Sequence, residues 1–303
     1  MKIALAQLEL RAGHPQLNTQ KMIRSSYEAK RNGAEVIVFP EDAILGMPAP
    51  EELPDSLRVE FDTCRQQLKD AAAGLEIIGD SDSRKDFVVD NKSTAVAIGI
   101  KNDGGEKKSF LRRLIDNRKP KIKVNPIGIV NRGKFIHVLD GRSAVFNAKG
   151  VAVLRAEPFK EQLLYVEREA IDKMPPAIDE PESEAEQIFG ALSYGVRRYL
   201  ELIGMKKIVI GASGGIDSAV AAALYVDVLG AENVYLVNMP SRFNSNTTRD
   251  LAEQLAKNLG CQYAVVPIQD TIDATVKQLG DTKFELLSTG TQSTLEITSF
   301  VKE

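Results

Sequence analysis

Six consecutive residues, Ser213-Gly214-Gly215-Ile216-Asp217-Ser218, combine the groups that a phosphate site needs. Before them, Ile208-Val209-Ile210-Gly211-Ala212 is an apolar run too short for a helix and bounded by glycine, which predicts a buried parallel strand. After them, an alanine-rich run with apolar residues at helical spacing predicts a helix. A turn of this kind leaves the first N–H groups of the helix unpaired and facing the loop, where the helix dipole adds partial positive charge. Gly214 and Gly215 would let the backbone approach phosphate oxygens without a Cβ in the way, and the hydroxyls of Ser213 and Ser218 add donors. Asp217 is the exception, because a carboxylate beside phosphate is repelled unless a cation lies between them. It therefore predicts Mg2+, a hard ion usually held by one or two carboxylates together with phosphates. The same two glycines would also serve as a plain strand-to-helix turn with no ligand.

The hexamer resembles the SGGxDS loop of the ATP pyrophosphatase group, whose members cut ATP between the α and β phosphates to activate a carboxylate or carbonyl as its adenylate. It lacks the lysine of a Walker A loop. On this resemblance Ser213, Gly214, Gly215, Ile216, Asp217 and Ser218 bind the pyrophosphate part of ATP, and Asp217 contributes to the Mg2+ site. Residues 233–239 read as a second buried strand, 248–259 as a helix and 263–268 as a third strand. Parallel strand, helix, strand, helix, strand predicts a doubly wound sheet with the nucleotide over the strand ends. The resemblance also puts Met239, Ser241 and Arg242 near the nucleotide, with Arg242 pairing with phosphate or dinucleotide. A surface arginine in a loop is the alternative.

The chain ahead of this region has its own chemistry. Residues 2–8 read as a strand, 18–31 as a helix with Met22, Ile23, Tyr27 and Ala29 on its apolar side, and 34–39 as a buried strand running into Pro40-Glu41. Asn32-Gly33 closes the helix. A carboxylate at the C-terminal end of a buried strand stands where α/β sheets place functional groups, although Glu41 alone also reads as a surface acid. The order of these pieces resembles the N-terminus of the nitrilase superfamily, whose glutaminase members use a Glu-Lys-Cys triad. Glu41 falls on that family's general base, which takes the proton of a cysteine thiol while the lysine helps stabilise the tetrahedral oxyanion. The family's lysine motif and its strand ending in Cys-Glu-Asp do not occur here. Cys64 falls inside a predicted helix and reads as a small, half-buried packing residue. The stretch 86–101 matches the family's strand and substrate loop, with Lys101 on a glutamine-contacting lysine and Ala95 in place of a contacting serine. It could equally be an earlier strand.

Residues 105–117 read as a basic helix with interleaved acids, a solvated face. Strands are predicted at 121–124, 134–139, 143–146, 151–156 and 162–166, with a turn at Asn147-Ala148-Lys149-Gly150. His14 and His137 read as lone structural or exposed histidines. Residues 172–186 are acidic and proline-bearing, which predicts a linker, and Ser183 with Glu186 forms a capping-box pattern that opens a helix.

A length of 303 residues suggests two domains. The expected divisions are 1–171, the linker 172–186, and 187–303. A net charge of −3 offers no basic field to recruit nucleic acid. No run approaches membrane-spanning length, and the start does not continue into a signal sequence. The two cysteines, Cys64 and Cys261, lack metal-ligand spacing, so a reduced, cytoplasmic protein is expected.

Taken together, the halves resemble the glutamine-dependent NAD+ synthetases, most densely over 1–50 and 183–296. The fold this implies is α/β: a nitrilase-like α-β-β-α sandwich, incomplete, followed by a Rossmann-like doubly wound parallel sheet of the adenine nucleotide alpha hydrolase type. The chemistry it implies is adenylation of the nicotinate carboxylate of deamido-NAD+ by ATP with Mg2+, release of pyrophosphate, and displacement of AMP by ammonia. Ammonia comes from glutamine in the first domain of that family, and the family assembles, which implies a homo-oligomer. Two departures count against full activity. The first is the incomplete triad. The second is that the family-like STGTQSTLE passes into ITSFVKE where the family carries its remaining magnesium acid and much of the deamido-NAD+ site. The alternative expectation is a degenerate or truncated homologue that binds ATP without turnover, as a nucleotide-binding or subunit-associating protein.

Overall fold

Apolar residues on both faces mark the first strand as the centre of a layered structure. In β1 (Lys2–Gln7), Ala4 and Ala6 face one apolar cluster while Ile3 and Leu5 face another. A strand covered on both faces reads as a continuous apolar run, as this one does. The computed structural model describes residues 1–46, 54–79, 88–90, 95–96, 119–131, 136–178 and 183–294. Two compact units divide the chain, 1–199 and 200–303.

In the first unit β1 leads into α1 (Pro15–Arg31), β2 (Val36–Val38), α2 (Asp55–Ala71) and β3 (Glu76–Ile78). The helix α1 starts a turn earlier than the hydrophobic spacing suggested. Pro15 occupies its first turn, where the missing N–H would have no partner anyway. Short strands follow: β4 (Val88–Asp90), β5 (Ala95–Val96), β6 (Lys121–Lys123), β7 (Ile127–Asn131), β8 (Ile136–Asp140), β9 (Ala144–Phe146), β10 (Ala152–Arg155) and β11 (Gln162–Glu167). One sheet has the order β11-β1-β2-β3, with β1, β2 and β3 parallel and β11 antiparallel to β1. A second has the order β10-β9-β6-β4, and β5-β8-β7 forms a third.

The layers follow from the clusters. Ile3, Leu5, Val36 and Val38 of the first sheet pack in one core with Val89, Ile122, Val145 and Val153 of the second. On the other side of the first sheet, Met22 and Ala29 of α1 and Cys64 and Leu68 of α2 pack over Ala4, Ala6 and Ile37. Helix layer, sheet and sheet are the nitrilase-like sandwich that the sequence implied. The turn at 147–150 is a hairpin between β9 and β10, with Asn147 N–H donating to the Val151 carbonyl at 2.9 Å. The strand β7 escaped the sequence reading because Asn125-Pro126 and Gly128 interrupt its apolar run. Lys101 and the basic stretch 105–117 lie outside the described residues, and Ala95 is described only as part of β5.

Gln7 ties this unit together. It is fully buried, its Nε2 donates to the carbonyls of Glu157 at 2.7 Å and Lys160 at 2.9 Å, and its Oε1 accepts from Ser143 N–H at 2.9 Å. Gln7→Leu strands three backbone groups at once, so unfolding free energy should fall by about 2–4 kcal/mol in a urea melt. An unchanged midpoint would mean that water replaces all three bonds.

The helix α3 (Glu184–Ile203) opens with the anticipated capping box: Ser183 N–H donates to Glu186 Oε2 at 2.7 Å, and Glu186 N–H donates to Ser183 Oγ at 3.2 Å. Its first turns pack on the first unit. Tyr194 stacks on Phe159 with ring centroids 4.8 Å apart, and Arg198 pairs with Glu9. Burial pushes the Tyr194 phenol up to about 12, so it stays protonated at any physiological pH. By contact the first unit thus runs through Tyr199, past the linker expected at 172–186, and Ile171 just before that stretch is fully buried.

The second unit contains β12 (Ile208–Gly211), α4 (Ile216–Leu229), β13 (Val234–Asn238), α5 (Asn246–Leu259), β14 (Gln262–Val265), α6 (Gln269–Asp281) and a hairpin of β15 (Lys283–Leu286) and β16 (Thr291–Thr294). The strands β12, β13 and β14 are parallel and adjacent in that order. Stepping in one direction with right-handed crossovers puts α4 and α5 on the same face, and Ala222, Ala252 and Ala256 share one cluster with Val234 and Leu236. This is a Rossmann-like arrangement of which the described strands form one wing. Among the described residues no helix is long and apolar enough to cross a membrane.

Candidate functional site

The expected phosphate loop joins β12 to α4 at the C-terminal end of the sheet, where parallel α/β folds place ligands. Gly215 is the N-cap of α4 in extended conformation, and no side chain caps the helix. Anions at such a terminus meet unpaired N–H groups and the positive end of the dipole. The loop's hydroxyls are drawn together. Ser213 Oγ accepts from Gly215 N–H at 3.2 Å and lies 3.2 Å from Ser218 Oγ, which donates to the Gly215 carbonyl at 2.9 Å. Two hydroxyls thus bracket the first turn of α4, and Asp217 beside them is exposed.

Gly214 is fixed by two independent constraints. Its φ is +83°, and a Cβ there would stand 2.2 Å from the Thr248 carbonyl oxygen. Thr248 belongs to the first turn of α5, whose cap is Ser245; the Ser245 side chain accepts from Thr248 N–H at 3.3 Å. The loop before α4 therefore lies directly against the start of α5, so the positive ends of two helices are near one point. Sequence reasoning missed Ser245 and Thr248. The Ser245-to-Thr248 spacing is a cap signal, but only the fold brings it to Gly214.

Mg2+ fits this donor set in one way. Among the described residues no three His, Cys, Asp or Glu side chains converge, so those residues build no closed cage for a metal. An ion that takes one or two carboxylates and completes its shell with phosphates needs no more protein than Asp217 and a neighbouring hydroxyl.

The other expected nucleotide residues follow β13. The Met239 methyl lies over Gly211, 3.2 Å from where a Cβ would be. Ser241 is held by Asn244, whose Oδ1 accepts from Ser241 N–H at 2.8 Å and from its Oγ at 3.0 Å. Arg242 is half-exposed, faces Asp273 at 3.7 Å and lies over the Phe243 ring. In this arrangement the Arg242 charge has a carboxylate partner of its own. Asn238, which the sequence reading passed over, is 4% exposed and donates from Nδ2 to the Ala212 carbonyl at 2.7 Å. The signal for it was an amide closing an apolar strand.

Glu41 lies in the turn that follows β2, half-buried, after Phe39 N–H donates to the Ile78 carbonyl at 2.9 Å. Asp42 takes a left-handed conformation with φ +57°, and its carbonyl accepts from Gly46 N–H at 2.8 Å. A cavity of about 330 Å³ opens beside this turn, lined by Met22, Pro40, Asp42, Phe61, Arg65 and Leu68 among others. Cys64 is not on its lining: it is 1% exposed within the helix-layer core, a packing position more deeply buried than the half-buried one expected. Cys261, the second of the two cysteines, belongs to the other unit, and partial burial pushes its thiol up.

Comparison with known proteins finds a different family model at each end of the chain. Residues 2–81 match the family model for carbon-nitrogen hydrolase, and 188–296 match that for NAD synthase. A glutamine-dependent NAD(+) synthetase from Aquifex aeolicus is 36% identical over 198 residues, covering 54% of this chain and 34% of that protein. One from Acinetobacter baylyi is 24% identical over 350 residues, covering 92% of this chain and 65% of that protein. Among solved structures, the glutamine-dependent NAD+ synthetase of Acinetobacter baumannii in complex with ADP superposes with a TM-score of 0.73 at 21% identity. That match covers 92% of this chain and 66% of that one, and it supports the fold. The chain thus spans between about a third and two thirds of the length of these relatives.

Proposed function

We propose that this chain, which has the fused architecture of the glutamine-dependent NAD+ synthetases, binds Mg-ATP at residues 213–218 and uses it to adenylate the carboxylate of deamido-NAD+ for amidation to NAD+. The observation that carries this reading is the loop itself: two hydroxyls gathered at an uncapped helix terminus, on a glycine turn at the C-terminal end of a parallel strand. The amides at the start of α4 and the hydroxyls of Ser213 and Ser218 take the β and γ phosphates. Because they contact the leaving group, they stabilise charge as it builds on pyrophosphate. Asp217 would hold Mg2+, which when bound would supply neutralisation of the charge on the leaving pyrophosphate. Attack of ammonia on the adenylate then gives the amide and releases AMP. Arg242 reaches phosphate or dinucleotide by exchanging its contact with Asp273, and Met239 and Ser241 border the nucleotide. The working protein is a cytoplasmic homo-oligomer that needs neither nucleic acid nor a membrane.

The test is isotope exchange between ATP and pyrophosphate. It should require deamido-NAD+, and exchange that proceeds equally without it would count against the assignment. One observation favours a second reading, a nucleotide-binding protein without turnover: among the described residues Asp217 belongs to no group of three or more His, Cys, Asp or Glu side chains that could hold a metal ion. Saturable ATP binding with no AMP formed would select that reading.

For the first unit we infer that glutamine is not hydrolysed. On the nitrilase resemblance Glu41 would be the general base, but Cys64 is sealed in the helix-layer core. Lys101, the residue expected to contact glutamine, would then have no role in turnover, and ammonia would come from solution. Incubation with glutamine should release no glutamate above background. Release that disappears in Cys64→Ser would overturn this and identify Cys64 as a nucleophile.

A further inference from the structure

The cavity beside the 40–46 turn has no part in the chemistry proposed so far. It lies in the first unit on the helix-covered side of the sheet, and Glu41 is not on its lining, so it is not a pocket for a substrate of that carboxylate. Met22 of α1, Phe61 and Leu68 of α2 and Ile77 of β3 form its apolar walls, and the turn after β2 adds Pro40 and Ile44. A volume of about 330 Å³ is at the lower end of the range of small-molecule sites, about 300–1,000 Å³, and walls of this kind suit an apolar body.

The charged members of the lining say what that body carries. Arg65 and Lys69 are one turn apart on the same face of α2, and among the described residues Asp42 is the one acid on the lining. Both cations are exposed, so each lays its stem along the wall and keeps its charge at the opening. Asp42 already has a partner, whereas among the described residues neither Arg65 nor Lys69 is paired with an acid. Lys69 stands in the last turn of α2, where a cation meets the negative end of the helix dipole and needs no ligand to explain it. Arg65 stands a turn earlier, without that reason. Two cations against one carboxylate leave a single net positive charge at the mouth of an apolar cavity.

We propose that this cavity binds a small monocarboxylate with an apolar body, the body among Met22, Phe61, Leu68 and Ile77 and the carboxylate on the Arg65 guanidinium. The planar fork of arginine meets a carboxylate through two parallel hydrogen bonds. A phosphate ester suits the opening less, because its second charge would face Asp42 with no cation left to balance it. The site is independent of the nucleotide reading, since all of its residues belong to the first unit.

The experiment titrates the whole chain with octanoate, octan-1-ol and octyl phosphate by calorimetry, in the wild type and in Arg65→Gln, and follows the amide resonances of Ile44, Leu68 and Ile77 as octanoate is added. Octanoate should saturate one site and move these three signals together. The alcohol, which has the same body without the charge, and the phosphate ester should each bind at least about fivefold more weakly. In Arg65→Gln the octanoate affinity should fall at least about fivefold while that for octan-1-ol stays within twofold. Arg65 is exposed and glutamine is a comparable helix former, and the comparison of acid with alcohol in the wild type gives the answer without any substitution. Octanoate that does not saturate, that leaves these three signals in place, or that binds no better than octan-1-ol overturns the inference. So does an octanoate affinity unchanged in Arg65→Gln, and octyl phosphate binding more tightly than octanoate would assign the cavity to a different class of anion. None of these results bears on the loop at 213–218.

Discussion

Gly214→Ala should cost at least about a hundredfold in Mg-ATP affinity, because two penalties coincide at one atom. A side chain in the left-handed region costs about 1–2 kcal/mol. The new Cβ would also stand 2.2 Å from the Thr248 carbonyl, closer than a van der Waals contact permits. Thr248 is backbone in a capped helix turn, so either α5 or the loop must move, and overpacking of this kind costs about 1–3 kcal/mol more. Each route breaks the alignment of amides with the phosphates. Gly280→Ala, in α6 and outside the loop, is the control. Its φ is not left-handed and a Cβ there meets nothing within 4 Å, so affinity should change by no more than about threefold. Calorimetric titration of both variants checks the contrast. Equal affinities in the two would mean that the Gly214 approach to α5 is incidental.

Asp217→Asn tests the ion and not the cradle. The amide keeps the shape and hydrogen-bonding reach of the carboxylate but not its charge, so the variant should still bind ATP in the absence of divalent metal. Pyrophosphate exchange at saturating ATP should fall by about 10²–10³-fold, the usual cost of one transition-state stabilising group. Raising Mg2+ should recover part of the loss if occupancy is what was impaired. Exchange within threefold of the wild type at every Mg2+ concentration would place the metal elsewhere.

What could be read from the sequence was local. The hexamer at 213–218, the Ser183 capping box and the turn at Asn147-Gly150 are each decided by residues within a few positions of one another, and each occurs as expected. Long-range geometry was not legible in the same way. Nothing near Gly214 announces that Thr248 lies against it, and nothing near Asn238 announces that its amide reaches Ala212, because both contacts depend on how strands β12 and β13 sit side by side. The contacts of Tyr194 with Phe159 and of Arg198 with Glu9, residues far away in sequence, are of the same kind. Lys101 stayed beyond test, since it falls outside the described residues.

Titration of isotope-labelled protein with Mg-ATP, followed through backbone amide resonances, is the most direct examination of the phosphate cradle. The signals of Gly214, Gly215, Ile216, Asp217 and Ser218 should move together and saturate, with Thr248 shifting alongside them through its contact with Gly214. Resonances of this segment that stay in place while ATP binds elsewhere, or that never respond, would contradict the assignment at its root.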